Sequence, residues 1–305
     1  MLFRFDEFQG INNVGDSRHR IVAEFSKDGK SVMLSGDLKS CINFRIGIDK
    51  IASVRNGQTT KLAGADILSL WTNRACNLCL FTDGTVLKKL NADFTATTLY
   101  SGLSAKKRMM FQEHNNTVFM GNTEQMLKYV NGAVSSWGDS SDMASEFETP
   151  QRIYRTPTLS NIVLSYRSRM YVAEGRYAFY SEPLLPEKFR RSQYLTAVED
   201  ITAMSCDFNT VYLHGLNTTT AFRGTDPDNF ELIEPQGIGA VKHGVIKPSD
   251  YPIPVILSKK GWAYCEEGAV KYLNNENFRL DLPDTTEAYL GYDPINREVL
   301  CSLRT

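Results

Sequence analysis

The chain has 305 residues, 42% of them hydrophobic and 23% charged, with 34 Lys and Arg against 35 Asp and Glu and a net charge of −1. Average Gly and Pro contents exclude collagen-like and low-complexity chains, and the balanced charge excludes a strongly cationic surface that grips a polyphosphate. No apolar run approaches the roughly 18 residues that a transmembrane helix needs, so we predict a packed protein without a membrane span.

The first predicted element is a strand at the N-terminus. Phe3, Phe5 and Phe8 alternate with charged residues, which is typical of a strand with one apolar face. The same charges argue against a signal peptide. We predict an N-terminal arm over residues 1–43, whose first strand either closes the following fold or reaches a neighbouring copy. The three phenylalanines are its candidate assembly contacts.

Short strands joined by tight turns follow along the rest of the chain. Asn-Gly and Asp-Gly pairs favour the positive φ angles of two-residue hairpin loops. Such pairs lie between alternating apolar runs at Asn56-Gly57, Asp83-Gly84 and Asn131-Gly132. The sequence therefore predicts an all-β protein.

Helical periodicity is hard to find. Only residues 143–154 and 186–195 resemble short helical turns, and each segment contains a proline that bounds or interrupts it. We expect no helix beyond these two short segments.

A weak internal repeat indicates how the strands are grouped. Four strand-like runs look interchangeable, and each is followed by a second strand. Aromatic residues occupy equivalent places in them, at Phe81, Phe119, Tyr171 and Tyr212. Their spacings of 38, 52 and 41 residues are close to the roughly 40 to 50 residues of a four-stranded propeller blade.

Two further units extend the repeat, at residues 255–273 and 287–303. With a first unit near residues 46–62, they predict a β-propeller of about six or seven small blades over residues 44–305. Two β-sandwiches are the alternative, because sandwiches also contain turn-bounded strands at short intervals. The repeated aromatic positions favour the propeller.

Three short phrases occur in a fixed order along the chain. Gly-Ile-Asn-Asn lies within residues 7–13, Tyr-Ser-Glu-Pro within residues 164–189, and Gly-Thr-Asp-Pro within residues 200–230. With their flanking strands, these phrases resemble bacteriophage virion β-propeller proteins of the head-to-tail connector or tail nozzle type, from short-tailed phages. The chain is shorter than the larger members of that family.

The resemblance implies a structural virion protein of the neck or tail, synthesised in the host cytoplasm. It implies a ring of six copies around the DNA exit channel, with portal or adaptor proteins and other tail proteins as partners. Contact with genomic DNA would be transient, during ejection. We expect no enzymatic activity and no cofactor. The alternative is a carbohydrate-active or receptor-binding propeller at the tail tip.

Residues that catalyse reactions or bind metals occur without diagnostic patterns. Cys76 and Cys79 enter a strand, where residues three apart point to opposite faces, so we interpret them as packing residues rather than a zinc or redox pair. His214 ends a predicted strand and is interpreted as a loop or partly buried residue. Carboxylates such as Glu182 and Asp200 leave a glycoside hydrolase as a further alternative. The chain contains no nucleophile elbow, Walker or dinucleotide motif.

The sequence contains two short clusters of basic residues, although its overall charge is balanced. Short runs of this kind are mostly solvated loop faces or salt-bridge partners. The functional interpretation is contact with an adjacent ring or with DNA in the channel. The candidate partner or DNA-channel contacts are Lys106, Lys107, Arg108, Lys188, Arg190 and Arg191. We predict no catalytic, cofactor-binding or metal-ligating residue.

Overall fold

The computed structural model describes residues 4–11, 21–25, 32–38, 44–46, 52–54, 66–104, 106–139, 154–249, 251–273, 280–293 and 298–304. The chain divides into two compact units: Met1–Thr60 with Lys260–Trp262 and Tyr272–Leu282, and Lys61–Lys259 with Ala263–Lys271 and Pro283–Thr305. Within the described residues the regular elements are strands, apart from one 3₁₀ turn at Pro227–Asn229. The predicted all-β class is therefore confirmed.

The first unit contains two small sheets. β1 (Arg4–Ile11), β2 (Ile21–Phe25) and β3 (Val32–Leu38) form a sheet in the order β1-β3-β2, and β1 pairs in parallel with β3. β4 (Phe44–Ile46) and β5 (Ala52–Val54) form an antiparallel hairpin.

The predicted assembly arm falls in this unit. Phe5 and Phe8 lie in β1, whereas Phe3 lies outside the described residues, as does the predicted turn at residues 56–57. The closing role of the arm and the division at residue 43 both stay predictions.

From residue 66 onward, the described residues form six sheets that follow one another along the chain. Sheet I consists of β6 (Ile67–Thr72), β7 (Cys79–Asp83), β8 (Val86–Leu90) and β9 (Ala96–Tyr100). Sheet II consists of β10 (Met110–His114), β11 (Thr117–Gly121), β12 (Met126–Val130) and β13 (Ala133–Ser136). In both sheets the strands pair antiparallel in chain order.

Sheets III and IV continue this pattern, with one added strand in sheet III. Sheet III has the order β14 (Tyr154–Arg155), β18 (Leu185–Thr196), β17 (Tyr177–Glu182), β16 (Arg169–Glu174) and β15 (Val163–Tyr166). Sheet IV contains β19 (Ala203–Cys206), β20 (Thr210–His214), β21 (Thr219–Arg223) and β22 (Glu231–Gln236) in chain order.

Sheets V and VI are the last two of the six. Sheet V has the order β23 (Val245–Ile246), β24 (Val255–Ser258), β25 (Gly261–Glu266) and β26 (Ala269–Tyr272). Sheet VI is a hairpin of β27 (Glu287–Asp293) and β28 (Glu298–Arg304). These strands match the units predicted at residues 255–273 and 287–303.

The first strands of successive meanders lie side by side. β10 contacts β15, β15 contacts β19, β19 contacts β23, and β23 contacts β27. Apolar clusters fill the spaces between neighbouring sheets: Leu80 and Val118 belong to the cluster shared by sheets I and II, and Tyr171 and Leu213 to the one shared by sheets III and IV. Sheets with both faces covered and first strands in contact are the arrangement expected of a β-propeller.

Three of the four predicted aromatic positions are equivalent in the structure. Phe81, Phe119, Tyr171 and Tyr212 each lie in the second strand of a meander, in β7, β11, β16 and β20, and all four are buried. Phe119 packs in the cluster shared with sheet III and Tyr171 in the cluster shared with sheet IV, whereas in sheet I the residue that packs towards the next sheet is Leu80. Phe81, one residue later in the strand, therefore lies on the opposite face, and its predicted equivalence is wrong by one residue.

The predicted hairpin turns agree with the structure, with one shift. Asn131 and Gly132 have φ angles of 49° and 91°, the positive values that the two-residue turn between β12 and β13 requires. At the other hairpin, Asp83 still pairs with Val86, so the turn starts one residue later, at Gly84 with φ of 59°.

One of the two predicted helical segments is wrong. Residues 186–195 lie within the twelve-residue strand β18. Pairing with β17 on one side and β14 on the other satisfies its backbone, and this tertiary pairing overrides a weak local preference. The other segment, residues 143–154, lies outside the described residues except for Tyr154, which is in a strand.

Candidate interaction surface on sheet III

Sheet III differs from its neighbours in the length and pairing of β18. Phe179 pairs with Tyr194, but Ser181 pairs with Phe189, so extra residues of β18 bulge out between these two pairs. β14 pairs with β18 beside this bulge, through Arg155 and Phe189. Bulges redirect side chains and are common at functional surfaces.

Three aromatic side chains cluster on one face of this sheet. The ring of Tyr194 lies 5.2 Å from that of Tyr177, in edge-to-face geometry, and 5.7 Å from that of Phe179. Tyr194 is 45% exposed. Neighbouring residues on the same strands, including Ala178 and Leu195, are buried against sheet IV. The alternation of the strands therefore places these three rings on the face away from sheet IV.

Arginines surround the aromatic cluster. The guanidinium of Arg155 lies 4.1 Å from the centre of the Phe179 ring, and that of Arg176 lies 5.5 Å from the Tyr177 ring. Arg191 is exposed in the bulge of β18. We call these six residues, Arg155, Arg176, Arg191, Tyr177, Phe179 and Tyr194, the arginine–aromatic face.

Arg155 has donors that its own surroundings do not satisfy. Its Nε and Nη2 atoms are buried, and neither has a hydrogen-bond partner within the described residues. Burial lowers the pKa of Arg155, the nearby Glu174 opposes this shift, and Arg191 adds to it. An arginine remains protonated in spite of such a shift. The face therefore holds positive charge, and its exposed Arg191 suits a carboxylate or another anion.

The predicted basic cluster of residues 188–191 divides into internal and exposed members. Lys188 is buried, with Nζ 3.3 Å from Asp139 and 4.9 Å from the Tyr154 ring. Arg190 forms an ion pair with Glu182. These two cations hold β14 and β18 in place, and Arg191 is the member that belongs to the arginine–aromatic face.

The other predicted cluster, residues 106–108, lies before β10. Lys106 pairs with Asp66 at 2.6 Å, and Lys107 pairs with Glu124. Arg108 donates to the carbonyl of Ala288 and lies 4.1 Å from the Tyr289 ring, and burial lowers its pKa. This cluster lies in the connection between sheets I and II, whereas residues 188–191 lie in sheet III. Whether either cluster contacts a partner or DNA stays a prediction.

His214 is more deeply buried than the sequence indicates. It is fully buried at the end of β20, where Nε2 lies 2.8 Å from Ser205 Oγ and Nδ1 lies 2.9 Å from Thr219 Oγ1. Burial lowers its pKa to about 3, so it is neutral at physiological pH. A buried neutral imidazole with both nitrogens paired joins three of the four strands of sheet IV, and its side chain is closed off from solvent.

The cysteines and carboxylates form no recognisable metal site. Cys76 is exposed in a turn and Cys79 begins β7, and both are free thiols. Within the described ranges, no three His, Cys, Asp or Glu side chains are grouped closely enough to hold a metal ion. In the same part of the chain, no helical segment has the length and hydrophobicity that crossing a membrane requires.

Comparison with known proteins gives similarity of fold only. No protein-family model and no curated protein matches the chain. The extracellular domain of a hybrid two-component system from B. thetaiotaomicron superposes with a TM-score of 0.51 at 11% identity, over 79% of this chain and 31% of that one. The chain thus spans about a third of that protein's length.

Two further solved structures superpose less closely. The WD40 β-propeller domain of Doa1 has a TM-score of 0.45 at 12% identity, over 87% of this chain and 80% of that one. A catalytically inactive virginiamycin B lyase from Staphylococcus aureus, with quinupristin, has a TM-score of 0.49 at 11% identity, over 74% of each chain.

The sequence missed most of the arginine–aromatic face. Of its six residues, only Arg191 lies in a predicted cluster. The alternation of aromatic residues in Tyr177–Glu182 was a usable signal for an aromatic strand face. Arg155 carried no such signal, because only the long-range pairing of β14 with β18 brings it to Phe179.

Proposed function

We propose that the chain is a structural, non-enzymatic component of a bacteriophage virion, at the head-to-tail junction or tail nozzle, where copies form a ring around the DNA exit channel. The arginine–aromatic face is the observation that carries this proposal. Tyr and Arg are enriched at the centres of protein interfaces, and a rigid sheet presents them without a large entropic cost. The phage-like segment 164–189 forms β15 to β17 and the start of β18.

We further propose six blades, one for each of sheets I to VI. Contacts between sheet I and sheet VI support closure. Ile67 and Leu70 of β6 line one cavity together with Tyr289 and Arg304 of sheet VI. Met109, which precedes β10, donates its backbone N–H to Ser69 of β6, and the adjacent Arg108 binds the carbonyl of Ala288 in β27. A propeller leaves few open sheet edges and offers loops and outer faces to partners.

The chemistry of the described residues supports a binding role over a catalytic one. His214 and His243 are buried and have strongly lowered pKa values, because desolvation disfavours their charged forms. Cys206 and Cys265 are buried thiols with raised pKa values, for the same reason. Groups of this kind lack the exposure and the near-neutral pKa that a general acid, a general base or a nucleophile needs.

Quantitative mass spectrometry of gradient-purified phage particles tests this proposal. A virion ring protein is retained in particles after high-salt washing, in a fixed ratio to the portal protein. Absence from washed particles would refute the proposal.

The exposed ring of Tyr194, beside the half-buried ring of Tyr177, favours one second candidate, a sugar-binding propeller at the tail tip, because aromatic faces also stack on sugars. Binding of the purified protein to a host glycan array, lost in the Tyr194→Ala variant, would favour this candidate.

A further inference from the structure

β22, the last strand of sheet IV, presents a negative charge, whereas the arginine–aromatic face presents positive charges. β22 is the outermost strand in the order β19-β20-β21-β22, so its far edge is unpaired within that sheet. Leu232 is 60% exposed, and Glu234 is exposed as well. The pairing of β22 with β21 shifts by one residue between Ile233 and Gln236, so Glu234 lies at an irregularity of the strand, two residues after Leu232. This strand thus offers an apolar group beside a carboxylate.

Neither charged partner is neutralised within the described part of its own chain. Arg191 and Glu234 are both exposed, and neither takes part in an ion pair there. The two surfaces therefore match in charge and in apolar character.

We propose that β22 of one copy docks on the arginine–aromatic face of a second copy. Glu234 then pairs with Arg191, and Leu232 packs on Tyr194. This inference rests on the proposed function, because it assigns the contact through which copies form the ring.

The two surfaces belong to different sheets, so the contact is of the head-to-tail kind. Each copy donates β22 to one neighbour and receives that of another. A contact between two different patches generates a closed ring when the rotation closes. Pro235 in β22 has no N–H to donate, so the strand docks through side chains rather than by extending a sheet.

Charge reversal tests the contact. The variants are Arg191→Glu, Glu234→Arg and the two combined. The control is Lys271→Glu, which makes the same charge change as Arg191→Glu at an exposed site on sheet V. Sedimentation velocity over a concentration series measures self-association. We expect each single reversal to weaken self-association at least about tenfold and the double reversal to recover most of the loss, with the control unchanged.

Separate results overturn the inference and the proposed ring. Normal self-association of the Arg191→Glu variant would overturn the contact and leave the ring standing. A double reversal that associates no better than the single ones would do the same. A wild-type protein that stays monomeric at every concentration would overturn both. Circular dichroism melts confirm that each variant is folded, and Tyr194→Ala serves as a second, uncharged disruption that should also weaken assembly.

Discussion

Acid should destabilise the second unit through His214. In the folded protein its pKa is lowered to about 3 from its ordinary value of 6.5, because the ring is fully buried. The unfolded chain takes up a proton below pH 6.5, whereas the folded protein does not until about pH 3. Stability from this group is therefore complete above pH 6.5 and is lost as the pH falls. At about 1.4 kcal/mol per pH unit, the loss reaches about 2 kcal/mol at pH 5.

The replacement His214→Asn isolates this effect, because the amide of Asn can take over the contact of Nδ1 with Thr219 but does not titrate. Urea unfolding, followed by the fluorescence of the buried Trp137, gives the free energy of unfolding at pH 7 and pH 5. We expect the wild type to lose about 2 kcal/mol more than the variant between these two pH values. Ser205→Ala is the control, since it removes one hydrogen bond and keeps the titrating group. Equal pH dependence in the wild type and His214→Asn would refute the reasoning.

Three further predictions concern packing, exposure and the N-terminal arm. Trp137→Ala should lower the free energy of unfolding by about 3–5 kcal/mol, because the indole is buried 4.9 Å from the ring of Phe119, and a loss below about 1 kcal/mol would contradict that packing. Under native conditions a thiol reagent should label the exposed cysteines and spare Cys206 and Cys265, which should react only on unfolding; their rapid labelling would be inconsistent with their burial. Deletion of residues 1–11 should abolish assembly or folding, and a truncated protein that still assembles would disprove the role of the arm.

The sequence predicted the local features of this fold well. Turn residues with positive φ and the buried aromatic residues of a strand depend mainly on the residues of one hairpin. A short stretch of sequence is therefore enough to predict them. Asn131-Gly132 and the equivalent, buried positions of Phe119, Tyr171 and Tyr212 are examples. The turn at Asn115 and Asn116, with φ angles of 48° and 60°, was missed because neither residue is glycine. Asparagine tolerates the left-handed region well enough to form such a turn without one.

Features that depend on long-range pairing were not predictable in this way. β18 contains proline and several charges, and its strand conformation comes from partners on both sides, one of them more than 30 residues away. The arginine–aromatic face depends on that pairing and on the bulge that sets Phe179 opposite Tyr194. Burial of Lys188 and His214 likewise follows from sheet packing. Charge and residue type alone suggested an exposed cluster and a partly buried histidine.

Gold-labelled antibody against the protein, viewed on intact phage particles by electron microscopy, tests the proposed virion role most directly. Label confined to the neck or the tail stub is the result expected of a structural ring at the head-to-tail junction or nozzle. Label at the distal tip or fibres, or no label on any particle, would contradict it.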